Sequence, residues 1–92
     1  MENEELYQEA IVTYGAEKQQ IVAVEELSEL QKEICKALRG NDNIDSLTEE
    51  IADVEIMIDQ IKMMHHITEM DVERWKRYKL SRLSMRLREG LK

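Results

Sequence analysis

Proline and phenylalanine are absent from these 92 residues, glycine occurs three times and cysteine once. Without proline, and with so little glycine, the chain has few helix breakers, so long helices joined by short turns are expected. A lone Cys35 rules out an intrachain disulfide and points to a reducing compartment. No apolar run approaches the ~18 residues needed to span a bilayer. The acidic start, with Glu2, Glu4 and Glu5, is unlike the basic start of a signal peptide. A cytoplasmic location and no membrane partner are therefore expected. The length suits one small domain, residues 1–92, marginal in stability on its own.

Charge, by contrast, is plentiful. Charged residues make up 36% of the chain, against a usual ~25%. The net charge of −7 hides a division: residues 1–73 sum to −14 and residues 74–92 to +7. A general nucleic-acid binder carries a basic balance, so a nucleic-acid partner is not expected.

Four helices follow from the spacing of apolar residues. Leu6, Tyr7, Ile11 and Tyr14 predict a short helix over 4–14, closed by Gly15. Val24, Leu27, Gln31, Ile34 and Leu38 step three and four apart and predict a second helix over 17–39, ended by Gly40. Asn41-Asp42-Asn43 is turn chemistry. Ser46-Leu47-Thr48-Glu49 reads as a capping box opening a third helix. That helix shows one apolar face in Leu47, Ile51, Val54, Ile58 and Ile61, and another in Ala52, Ile56, Met63 and Ile67. A helix with two apolar faces packs on two sides, so a homo-oligomer is expected, either a dimer or a dimer of dimers. Thr68-Glu69-Met70-Asp71 repeats the capping pattern before a basic fourth helix, 69–89, closed by Gly90. The fold class expected is an all-α antiparallel bundle of about four helices.

Two acidic hexads sit on neighbouring helices. Glu25-Glu26-Leu27-Ser28-Glu29-Leu30 and Glu49-Glu50-Ile51-Ala52-Asp53-Val54 match in type at each position. Residues three apart share a helix face, so Glu26 with Glu29, and Glu50 with Asp53, can converge across a helical hairpin. Any one of these acids has a plainer reading as solvated surface. Together they repel unless a cation sits among them, and hard oxygen donors suit Mg²⁺, Mn²⁺ or Ca²⁺. One difficulty is axial. The first hexad lies about twelve residues before the end of its helix and the second about four into its own, a stagger of about 10 Å at ~1.5 Å per residue. Residues 40–46 are long enough to absorb it.

Glu25-Glu26-x-x-Glu29 followed by Glu50-x-x-Asp53 resembles the EExxE…ExxD signature of the all-α nucleotide pyrophosphohydrolases, the MazG-like group. The resemblance is close over the second and third helices, and the flanking helices fit in length and order. It implies Mg²⁺-dependent cleavage of nucleoside triphosphates between the α and β phosphorus, with Mn²⁺ able to substitute. It also implies that Glu26, Glu29, Glu50 and Asp53 are metal ligands and that Glu25 belongs to the catalytic set. A spare carboxylate, Glu25 or Glu33, could accept a proton from the attacking water. The outer phosphates need cations; the candidates are Lys32, Lys36, Lys76, Lys79 and Arg82. Two rivals stand beside this expectation. One is a relative acting on dUTP/dCTP or phosphoribosyl-ATP; the other is a non-catalytic helical adaptor with an acidic face.

The remaining chemistry-bearing residues have structural readings. A di-iron carboxylate site needs Glu-x-x-His pairs, but Lys62 and Met63 stand three before His65 and His66. Both histidines read as end-of-helix residues. Cys35 reads as a small core residue. For Trp75 and Tyr78, core packing is favoured over stacking on a base.

Overall fold

Each of the three inter-helix turns is built on one residue with positive φ: Gly15 at 95°, Gly40 at 89° and His66 at 56°. They divide the chain in a computed structural model that describes residues 2–90. The helices are α1 (Glu4–Tyr14), α2 (Ala16–Leu38), α3 (Ile44–Met64) and α4 (Glu69–Arg88), and no strand occurs among the described residues. The all-α class is as expected, and no helix is long and apolar enough to cross a membrane. At the end of α2 the amide of Asn41 donates to the Lys36 carbonyl and that of Gly40 to the Ala37 carbonyl. This is the paired Schellman arrangement, which needs a left-handed residue at Gly40.

The start of α3 departs from the sequence expectation. Ser46 lies inside the helix, which begins at Ile44 with Asn43 at the N-cap position and no side-chain cap. The capping box with Glu49 does not form. Asn43 uses its amide elsewhere: Nδ2 donates to the backbone carbonyl of Glu33 at 2.9 Å and to Glu33 Oε1 at 2.8 Å. That clamp ties the first turn of α3 to α2 and starts the helix early. It also shortens the anticipated stagger by two residues, ~3 Å. Glu26 lies twelve residues before Leu38, and Glu50 and Asp53 lie six and nine after Ile44, so the mismatch is ~9 Å to Glu50 and ~4.5 Å to Asp53.

α2 and α3 pack as an antiparallel hairpin, and α1 lies against both. Their seam is partly polar. Gln19, Ala23 and Glu33 are buried on α2, and Val54, Met57 and Gln60 on α3. Gln19 Nε2 donates to Gln60 Oε1 at 2.8 Å within it. The spacing on α2 is the expected one, but its phase differs. Gln19, Ala23, Glu26, Leu30 and Glu33 face α3, while Val24, Leu27, Ile34 and Leu38 are exposed, Leu38 at 82%. The Asn43–Glu33 clamp and the Gln19–Gln60 bond fix this phase, because buried polar groups must face a partner. The more apolar stripe is left to the outside. On α3, Ile51 and Ile58 are likewise exposed, and so is the second face at Ala52 and Ile56; Met63 is half-buried, and Ile67, expected on that face, lies exposed in the turn after the helix.

α4 opens as the sequence predicts. Asp71 N donates to Thr68 Oγ1 at 3.1 Å, and Thr68 N to Asp71 Oδ2 at 3.0 Å, a complete capping box. Yet α4 buries no residue and packs against none of α1, α2 or α3. The bundle within the chain is therefore three-helical, with the basic helix standing off it.

Candidate metal centre

Glu26 from α2 and Glu50 and Asp53 from α3 meet across the seam. One carboxylate oxygen from each lies within 4.8 Å of the other two, and all three residues are half-buried. Helix geometry explains the trio. Glu50 and Asp53 are one turn apart on the side of α3 that faces α2, and Glu26 occupies the facing a/d-like position. Water is partly excluded there, so the like charges are poorly screened.

The electrostatics carry the cost of that arrangement. The Glu26 carboxyl is pushed up from 4.5 to about 7, first by its hydrogen bond with Asp53, then by burial, then by the charges of Asp53, Glu50 and Glu29. Glu50 is also raised, first by burial and then by the charges of Asp53, Glu29, Glu49 and Glu33. Glu50 Oε2 is buried and has no hydrogen-bond partner. A buried carboxylate oxygen without a donor costs free energy. A divalent cation fits this donor set. It would offer Oε2 a partner, hold three hard oxygens together and relieve their mutual repulsion.

The other expected site residues are placed differently. Glu29 is exposed and reaches the trio through its charge rather than as a fourth close oxygen. Glu25 is exposed. Glu33 does not serve as a spare base. It is buried, holds hydrogen bonds from Asn43 and Lys36, and has its pKa lowered chiefly by Asn43. Lys36 sits 3.2 Å from that carboxylate, and Lys32 lies near enough for its charge to act on Glu33 too. Lys76, Lys79 and Arg82 ride on α4, away from the hairpin of their own chain. Lys79 lies over the Trp75 ring at 5.9 Å and Arg82 over the Tyr78 ring at 5.7 Å.

His65 caps the C-terminus of α3 and lies 2.8 Å from Gln20 Oε1, and His66 forms the turn after it. Both are the end-of-helix residues expected. Cys35 is exposed rather than part of the core, because α2 presents a different face to α3. Trp75 and Tyr78 are not core residues of this chain either. They stand exposed, edge to face, with centroids 6.0 Å apart. Two polar locks escaped the sequence reading, Asn43–Glu33 and Gln19–Gln60. Their only signal is that Gln19, Glu33 and Gln60 share the spacing of the seam, which apolar periodicity does not reveal. No family model, curated protein or solved structure matches the chain.

Proposed function

We propose that the chain is a Mg²⁺-dependent nucleoside triphosphate pyrophosphohydrolase of the all-α, MazG-like kind, releasing a nucleoside monophosphate and pyrophosphate. The observation that carries this is Glu50 Oε2, buried without a donor inside a trio of carboxylates at the positions where the acidic signature calls for ligands. Glu26, Glu50 and Asp53 would hold the metal, with Glu29 alongside. Bound Mg²⁺ supplies charge neutralisation for the triphosphate and the leaving pyrophosphate, and lowers the pKa of water.

The chain's own residues do the rest. The hairpin holds three carboxylates on rigid helices, so their geometry is set before substrate arrives. Half-burial of the trio keeps water partly away and strengthens each charge interaction there. Glu26, raised to about 7 in the metal-free chain, must give up its proton to ligate a metal, so loading of the site is favoured above neutral pH. Glu25, one residue before Glu26 and exposed, can accept the proton of an attacking water from the solvent side. The exposed apolar faces of α2 and α3 support a homo-oligomer, and the single exposed thiol supports a reducing, cytoplasmic setting.

A panel of ribo- and deoxyribonucleoside triphosphates with millimolar Mg²⁺ tests this. Pyrophosphate and monophosphate should appear in equal amounts, and EDTA should stop their release. Release of inorganic phosphate instead, or no turnover on any member, would sink the proposal.

A further inference from the structure

The α3–α4 elbow is fixed at both ends. His66 at φ 56° closes α3, with Ile67 N donating to the Lys62 carbonyl and His66 N to the Met63 carbonyl. Thr68 and Asp71 cap α4. Lys62 Nζ then spans the bend to Glu69 at 2.9 Å. The connection is four residues long, too constrained to swing freely, and it directs α4 away from its own bundle. The helix so presented carries Leu80, Leu83 and Leu87 on one face at spacings of three and four, all exposed, Leu87 at 71%. From Arg74 to Arg88 it has seven basic residues and no acid. A helix with that much uncovered apolar surface gains little from propensity alone.

A complementary surface exists on α3. Ala52, Ile56 and Met63 form an apolar strip on its outer side, with Ile56 42% exposed. Helical spacing sets Asp45 along that strip and Glu49 and Asp59 on its two margins. α3 carries six acids and one base in all. An apolar strip margined by acids is the counterpart of an apolar strip margined by bases.

We propose that α4 of one copy docks along the Ala52–Ile56–Met63 strip of α3 in a second copy, an arm exchanged between chains. The arm's bases then lie beside the Glu49 margin, next to the carboxylate trio. Lys76 and Lys79, which stand off their own hairpin, face the partner's acids in this arrangement. This rests on the elbow and the matched surfaces, not on the pyrophosphohydrolase activity.

Mixed-isotope cross-linking tests it on the full chain. Equal amounts of ¹⁴N- and ¹⁵N-labelled protein are mixed, unfolded, refolded together and treated with a carbodiimide, which joins lysine amines directly to carboxylates. Mass spectrometry should find peptides of mixed isotope joining Lys76 or Lys79 to Glu49, Asp53 or Asp59. Leu83→Glu on the arm and Ile56→Glu on the strip should each abolish these peptides and lower the mass seen by light scattering. Both residues are exposed in their own chain, so α1–α3 should stay folded by circular dichroism. Cross-links of one isotope only, none at all, or mixed cross-links that persist in both variants would overturn the proposal. So would a monomer whose α4 instead binds anionic vesicles or an oligonucleotide.

Discussion

Glu26 and Asp53, two acids from different helices, bring carboxylate oxygens within 4.8 Å of each other across the α2–α3 seam. Two carboxylates that close repel when both are ionised, and the Glu26 carboxyl is pushed up to about 7, so the metal-free site retains part of a proton near neutral pH. A cation and that proton compete for the same oxygens.

The competition sets a pH dependence with a definite sign. Glu26 titrates at about 7 in the folded chain against 4.5 in its absence, and Glu50 is shifted the same way. Between those values the folded state binds more protons than the unfolded state, so metal-free stability falls as pH rises from about 4.5 to about 7. Metal binding needs the carboxylates deprotonated, so stabilisation by Mg²⁺ or Mn²⁺ should be small at pH about 5.5 and large at about 8. At a hundred times Kd it should reach about 2.7 kcal/mol. Melting curves with metal and with EDTA at both pH values check this. Glu26→Gln, which has no carboxyl to ionise, should flatten the metal-free slope. The lowered groups, Glu33, Glu69 and Asp71, act the other way: the stability they contribute is lost as pH falls below the ordinary carboxylate range.

Asp53→Asn should separate folding from function. Asn is nearly isosteric, and the substitution removes a negative charge from a crowded site, so the metal-free protein should be as stable as wild type or slightly more so. Asn is a neutral, weaker ligand for Mg²⁺. Turnover should fall by at least about a hundredfold, equivalent to roughly 2.7 kcal/mol of barrier, and the metal-induced rise in Tm should shrink. Glu9→Gln, exposed on α1, should change neither. Unchanged kcat in Asp53→Asn would reduce the trio to surface charge.

Much of this was legible in the chain because local chemistry fixes it. The glycines and the Thr68–Asp71 box mark helix ends through backbone geometry confined to a few residues, and those boundaries hold to within one residue. The convergence of Glu26, Glu50 and Asp53 was legible too, since three-residue spacing fixes a helix face. What periodicity missed was the phase of the seam. It assumes that the most apolar stripe turns inward, but here Asn43, Glu33, Gln19 and Gln60 pair across the seam and the apolar stripe of Val24, Leu27 and Ile34 turns out. Pairing between residues 41 apart leaves no local trace. Ser46 misled for a related reason: a good capping sequence lost to an asparagine whose better partner lay on another helix.

That asparagine should matter more than its place in a turn suggests. Asn43→Ala removes two hydrogen bonds and leaves the buried Glu33 carboxylate with Lys36 alone. Hydrogen bonds to a charged group contribute about 1.5–3 kcal/mol, so a loss of about 2 kcal/mol is expected in urea unfolding. Asn43→Asp, which sets a second carboxylate against Glu33, should cost at least as much at pH 7. At low pH, with Glu33 protonated, the difference between Asn43→Ala and wild type should narrow. A stability unchanged by Asn43→Ala would mean that the clamp does not set the start of α3.

His66 offers the opposite kind of test, a substitution that should stabilise. It is a non-glycine residue at φ 56° in the left-handed region, at the place where Gly40 serves α2. Side chains with a Cβ pay about 1–2 kcal/mol there, less for a short polar one, while glycine adopts the conformation without a steric penalty. Glycine in turn has more backbone freedom to lose on folding, which offsets part of the gain. His66→Gly should therefore raise stability by about 0.5–1 kcal/mol, roughly 2–8 °C in Tm for a domain of this size. His66→Val should do the reverse, because a branched Cβ tolerates positive φ least. The neighbouring His65, which caps α3 with ordinary negative φ and lies against Gln20, is the control: His65→Gly should lose stability rather than gain it. If His66→Gly and His66→Val melt alike, the elbow does not hold its left-handed turn in solution. The fixed direction of α4 would then go with it.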